Sequence, residues 1–292
     1  MYRATSEATP KLFADDTNLF IVDDNLGDLS TRTNKCLDEI YQWCLANKLT
    51  INLDKTNYTI FFPSRKTSVE NFNINIGNFK IQYTTCCKYL GILIDNKLDW
   101  QDHIDFIYKK LLKFCGIFYK IRDLLPFQCL KMVYFSFVYT HLLYGIEIYA
   151  NTCSTYLHRL NVLNNKLIRI LFNKNKFTHV KDLYKCIDSL PIINLHDFTI
   201  IKFVHNCIFN PVVLPDIFSD YFLNSKLASN YNSRRQFDLF VHHFNTNTGR
   251  KCVKIKGCIL WNKLPNNVKS IANRVSFCKA LKLHLLGSEL DL

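Results

Sequence analysis

Leu12-Phe13-Ala14-Asp15-Asp16-Thr17-Asn18-Leu19-Phe20 sets two adjacent carboxylates between two short apolar runs. Each run is too short for a helix and reads as a strand, so the stretch predicts a hairpin with Asp15 and Asp16 at its tip. Aspartate suits a turn because its side chain bonds the nearby backbone. Two side by side repel each other unless a cation sits between them. Mg2+ fits, because it takes carboxylate oxygens together with substrate phosphates. The competing reading of the dipeptide alone is an ordinary solvated turn, and Asp23, Asp24 and Asp28 read as solvated loop charges.

Working outward, residues 11–14 and 17–22 form the two arms. Leu29–Ala46 reads as a helix, with Leu37, Ile40, Tyr41, Cys44 and Leu45 at helical spacing and Ser30 or Thr31 capping it. Thr50–Phe62 includes a strand that Pro63 ends. Phe72, Ile74 and Ile76 alternate, Gly77-Asn78 supplies a two-residue turn, and Phe79, Ile81 and Tyr83 alternate again, which predicts a second hairpin. Lys88–Ile94 reads as one apolar strand. Helices follow at His103–Arg122, Phe127–Tyr149, Tyr156–Phe172, Val180–Cys186 and Leu195–Phe209. After Asn210 the pattern loosens into polar loop with short apolar pieces, and Ser276–Leu286 closes as a basic helix. Strands followed by helices give an α+β class.

Of 292 residues, 48% are hydrophobic, enough for real cores. The net charge of +13 is uneven: residues 1–60 carry −3 and the remainder +16. An acidic N-terminal piece joined to a basic body suits a metal site beside a phosphate-binding surface; a merely basic surface is the plain alternative. The 12 cysteines include no C-x-x-C pair, and Cys252 with Cys258 is a poor match for zinc. Cysteines set among apolar residues read as small buried hydrophobes in a reducing compartment. Met1–Pro10 has no apolar signal core, and Val133–Ala150 carries His141 and Glu147, so the expectation is an intracellular protein without a membrane span.

Phe13-Ala14-Asp15-Asp16-Thr17, then Asn47-Lys48-Leu49, Asn52, Lys55-Thr56 and Lys88-Tyr89-Leu90-Gly91-Ile92, stand in an order that resembles the reverse transcriptase of non-LTR (LINE-type, jockey-like) retrotransposons. The likeness continues through Asn230-Tyr231-Asn232-Ser233-Arg234, Asn245-Thr246-Asn247-Thr248-Gly249 and Leu260-Trp261-Asn262-Lys263-Leu264-Pro265, with Ser276-Phe277 after it. It implies a partial polymerase palm of hairpins plus helix over 1–98, a helical thumb over 99–190 and a mixed basic region over 191–292. Asp15 and Asp16 would ligate catalytic Mg2+, and Lys55 would assist the pyrophosphate leaving group, where negative charge builds. Lys88, Tyr89, Leu90 and Gly91 would form the primer grip. Lys109, Lys110, Lys113, Lys120, Arg122 and Arg169 would track an RNA template and DNA primer, with dNTP as the substrate of a complete enzyme. Trp43, Trp100 and Trp261 read as packing residues.

The family's fingers, its other palm aspartate and its nucleotide-positioning loop would all precede residue 12, and Met1–Lys11 resembles none of them. The expectation is a weak or absent metal site, no polymerase activity for this chain alone, and an exposed sheet edge with an apolar face. The alternatives are a non-enzymatic nucleic-acid-binding module acting through the basic thumb and tail and, less favoured, a metal-dependent nuclease built on the N-terminal aspartates.

Overall fold

In this computed structural model, which describes residues 8–61, 72–223, 237–244 and 246–287, the chain divides into two units, Met1–Leu98 and Asp99–Leu292. Pro63, the Asn230–Arg234 stretch and Asn245 lie outside the described residues. The strands fall between Thr9 and Asp95 and helices dominate from Gln101 onward, the α+β order expected.

The first unit is built on helix α1 (Leu26–Ala46). Its cap is Asn25, whose side chain accepts from Gly27 N at 2.9 Å, not the expected Ser30 or Thr31. Asn25 has the extended backbone a cap requires, whereas Thr31 lies inside the helix and donates back to the Gly27 carbonyl. Cys36, Leu37, Ile40 and Cys44 form the buried stripe. Strands β1 (Thr9–Phe13) and β2 (Asp16–Phe20) pair antiparallel, and Leu19 of β2 packs against that stripe.

Strand β3 (Asn57–Tyr58) follows a single 3-10 turn, Leu53–Lys55. Strands β4 (Asn75–Ile76) and β5 (Phe79–Lys80) form the expected hairpin. Asn34 of α1 clamps it, donating to the Asn73 carbonyl at 3.1 Å and accepting from Asn75 N at 2.9 Å. Ile74, Ile76 and Ile81 join Leu37 in the core. At the turn, Gly77 has φ +54, and an added Cβ would meet the Tyr41 ring at 2.8 Å. Gly77→Ala therefore carries the left-handed backbone cost of about 1–2 kcal/mol plus displacement of Tyr41. Urea unfolding should show this loss, and an unchanged midpoint would contradict it.

Strand β6 (Gln82–Tyr83) pairs parallel with β3. The single strand expected over Lys88–Ile94 is instead a hairpin, β7 (Cys86–Tyr89) with β8 (Ile92–Asp95). Leu90 and Gly91 turn it with φ +46 and +84. Positive φ at both central residues is what a tight hairpin with native twist requires.

In the second unit α2 (Gln101–Ile121) packs along α6 (Ser154–Leu171). The helix expected over Phe127–Tyr149 is broken. It runs as α3 (Phe127–Val133), a π-helical turn Tyr134–Tyr139, α4 (Thr140–Leu143) and α5 (Ile146–Tyr149). The break falls where Tyr144 goes extended and Gly145 takes φ +68. Helices α7 (Lys181–Ile187) and α8 (Ile192–Phe209) follow, each near its expected place.

Among the described residues, the stretch after Asn210, expected as loop, holds two 3-10 turns, Pro211–Val213 and Asp216–Phe218, and the α-helices α9 (Asn247–Lys251), α10 (Val253–Lys263) and α11 (Asn266–Lys269). Ile255, Cys258 and Trp261 bury one side of α10, whose Gly257 leaves no room for a Cβ against Val204 of α8 and Phe222. Helix α12 (Arg274–Gly287) ends the described chain. Trp261 and Trp100 are buried, as packing residues are. All twelve cysteines are unpaired. No described helix is long and apolar enough to cross a membrane.

Candidate nucleic-acid interface

The turn of the first hairpin is Ala14-Asp15, with Ala14 in the left-handed region at φ +51. Asp16 is not at the tip but begins β2, opposite Phe13. Both carboxylates are exposed, and among the described residues neither makes an ion pair or hydrogen bond through its side chain. The donor type suits a hard divalent cation, which accepts one or two carboxylates when water and phosphate complete its shell. Among the described residues no group of three His, Cys, Asp or Glu is placed to hold a metal, so the pair fits as a partial ligand set only.

Two of the candidate segments are brought together. Phe20, at the end of β2, meets Tyr89 of the β7–β8 hairpin edge-on with ring centroids 6.2 Å apart. The hairpin bearing Asp15 and Asp16 thus uses its open end, the end away from the two carboxylates, to touch the one bearing Lys88, Tyr89, Leu90 and Gly91. Lys88 is exposed, opposite Leu93. Lys55 closes the 3-10 turn, its backbone N–H held by Asn52 Oδ1 at 3.3 Å. Its ammonium is exposed and forms no ion pair with Asp15 or Asp16. Phe13, Leu12 and Phe20 are exposed on the first hairpin, whose sheet has two strands among the described residues.

Asp23 is not the solvated loop charge expected. Arg32 of α1 holds it at 2.8 Å, and its other oxygen accepts from Asp24 N and Asn25 N. The Arg32 hydrogen bond, with those backbone bonds, keeps its carboxyl below the usual carboxylate range. Arg32 also donates to the Val22 carbonyl, so this pair ties the end of β2 to α1.

On α2, Lys109, Lys113 and Lys120 are exposed, and spacings of four and seven residues set them on one face. None forms an ion pair among the described residues. Gly116 sits in the same stripe with nothing within 4 Å of where a Cβ would be. Lys110 lies over the Phe106 ring, and Arg122 pairs weakly with Asp123 and covers Tyr119. Arg169 has a structural job: its Nε donates to the Thr178 carbonyl at 2.8 Å and closes the loop after α6. Arg159, whose part sequence reading missed, reaches back to α2, bonding Asp105 at 2.6 Å and stacking over Tyr108. Only the fold joins residues 54 apart in the chain.

Behind this face His103 is buried against Tyr149, and burial, helped by the Lys110 charge, pushes its pKa down to about 4. His196 is buried too, and its Nδ1 faces Lys256 Nζ at 3.0 Å. An ammonium can only donate, so the imidazole there is neutral. Burial and then the Lys256 charge bring His196 down to about 3. Both folded values lie below the ordinary 6.5. Their stabilising effect is complete above pH 6.5 and is lost as pH falls from there toward 4. At pH 5 each histidine costs about 2 kcal/mol relative to pH 7.5. Melting at the two pH values checks this, and equal stability would contradict it.

Sequence comparison finds relatives among mobile-element polymerases. The chain is 25% identical over 174 residues, 59% of its length, to the RNA-directed DNA polymerase from mobile element jockey of Drosophila melanogaster. It is 22% identical over 147 residues, 49% of its length, to the probable RNA-directed DNA polymerase from transposon X-element of the same species. It is 20% identical over 183 residues, 62% of its length, to the jockey polymerase of Drosophila funebris. The aligned part covers 19%, 16% and 20% of these relatives, so the chain spans about a fifth of the length of the curated relatives it matches. No family model matches, and no solved structure does. The resemblance to the non-LTR reverse transcriptases is borne out by these relatives.

Proposed function

We propose that this chain is a palm-and-thumb piece of the RNA-directed DNA polymerase of a non-LTR mobile element, and that it holds an RNA template and a DNA primer through its basic helical surface. The observation that carries this reading is the contact between Phe20 and Tyr89, which sets the open end of the aspartate hairpin against the Lys88–Gly91 hairpin in a chain whose relatives are polymerases. Residues 1–98 serve as palm, 99–190 as thumb and 191–292 as a basic C-terminal region.

Asp15 and Asp16 would be the residues to hold Mg2+, which would supply charge neutralisation for substrate phosphates there. Lys88–Gly91 positions the primer end, while Lys109, Lys110, Lys113, Lys120 and Arg122 contact phosphates without reading sequence. Lys55 offers its exposed ammonium to a leaving phosphate. Arg169 keeps its neighbouring loop in place and contributes charge only indirectly.

Two carboxylates on one hairpin leave a two-metal clamp short of ligands. These 292 residues by themselves are therefore expected to bind template and primer without extending the primer. A primer-extension assay with Mg2+ or Mn2+ on the purified chain tests this, and robust dNTP incorporation would overturn it. The second reading, a binding module with no chemistry, is favoured by the same short donor set. The two separate on adding, in trans, a fingers and aspartate-bearing palm portion of a polymerase of this class: a polymerase piece gains Asp15-dependent extension and a pure binding module does not.

A further inference from the structure

We propose that the groove between α2 and α6 receives one unpaired nucleotide of a single-stranded stretch of the bound nucleic acid, its base on the apolar floor and its phosphate on the cationic rim. This rests on the nucleic-acid reading above and adds a site to it.

The groove measures about 450 Å³ and is lined by Tyr108, Leu112, His158, Arg159, Val162 and Lys166 among others. A space of that size accommodates a single nucleotide. Leu112 and Val162 are 46% and 50% exposed, so the floor presents apolar surface to whatever enters. Arg159 is held on two sides, by Asp105 at 2.6 Å and by the Tyr108 ring at 4.1 Å. A guanidinium fixed in this way is a ready stacking surface, because unpaired bases stack on aromatic rings and on arginine planes. Asp105, the carboxylate beside it, is committed to Arg159, which leaves the rim cationic. Lys166 lies one helical turn beyond Val162 and supplies a phosphate contact, since α6 sets residues four apart on one face. The Lys109–Lys113 ridge runs alongside the Tyr108–Leu112 wall, so a strand tracking those lysines passes the mouth of the groove. An occupant that is flat, apolar and anionic matches this lining by charge and by shape.

Fluorescence anisotropy on the full chain tests the site, using a blunt RNA–DNA duplex and the same duplex with a short single-stranded extension. The extended duplex should bind about fivefold tighter, the lower range for one stacked base. Val162→Glu and Lys166→Ala, both at exposed positions, should each bring that ratio to about one while blunt-duplex affinity stays within about twofold. Lys166→Arg should keep the preference. A wild-type ratio of one, or a ratio that survives both substitutions, overturns the groove assignment while leaving duplex binding intact. Absence of any blunt-duplex binding overturns the nucleic-acid reading and this site with it. Loss of the preference to an oligoglutamate competitor but not to a single-stranded oligonucleotide overturns it in favour of an acidic peptide.

Discussion

Lys269→Met should destabilise the second unit by about 3–5 kcal/mol, the usual cost of breaking a buried ion pair from one side. Lys269 is 2% exposed, and its ammonium donates to Asp238 Oδ1 at 2.8 Å and to the Asn262 carbonyl at 3.1 Å. Methionine fills the space but donates nothing, so the Asp238 carboxylate loses the Lys269 ammonium and the Asn262 carbonyl loses a donor, in a largely buried place. The surroundings amplify the effect. The Asn262 side-chain amide accepts from Leu239 N at 2.8 Å and donates to the Leu239 carbonyl at 2.9 Å, and Trp261 Nε1 donates to the Phe237 carbonyl. The Trp261-Asn262 pair and Lys269 together pin residues 237–239 onto α10 and α11. Chemical denaturation of the single variant and of Lys269→Met with Asp238→Asn measures the coupling. The double variant should recover part of the loss, because with both charges removed no carboxylate faces the lost ammonium. A loss below about 1 kcal/mol for the single variant would mean the pair is solvated.

That clamp shows what the sequence conceals. Leu260-Trp261-Asn262-Lys263-Leu264-Pro265 was recognisable as a motif, yet nothing local says that Asn262 binds Leu239 across 23 residues. The β4–β5 hairpin was legible because strict alternation flanks Gly77-Asn78. The β7–β8 turn was not, because a leucine holds the left-handed position at Leu90 where glycine or asparagine would have signalled it. The apolar run from Phe127 to Tyr149 concealed its own break, since Gly145 alone marks it. Helix α10 was missed because Lys254 and Lys256 interrupt its apolar stripe, and only the fold shows Lys256 turned inward to His196 and Asp197. In the candidate site the aspartate pair and the lysine face could be read directly. The Phe20–Tyr89 contact and the Arg159 stack depend on tertiary packing and could not.

The binding of an RNA–DNA duplex as a function of salt tests the nucleic-acid reading most directly. With at least four phosphates neutralised by the α2 cations, the logarithm of affinity should fall linearly with the logarithm of salt, at a slope of about −3 to −4. Raising salt from about 50 to about 200 mM should then weaken binding roughly a hundredfold. Replacing Lys109, Lys113 and Lys120 together with alanine should flatten the slope by about 3 while leaving the fold unchanged, since all three side chains are exposed and unpaired. Absent binding, or binding that does not respond to salt, would contradict the assignment of this chain to a template–primer-holding polymerase piece.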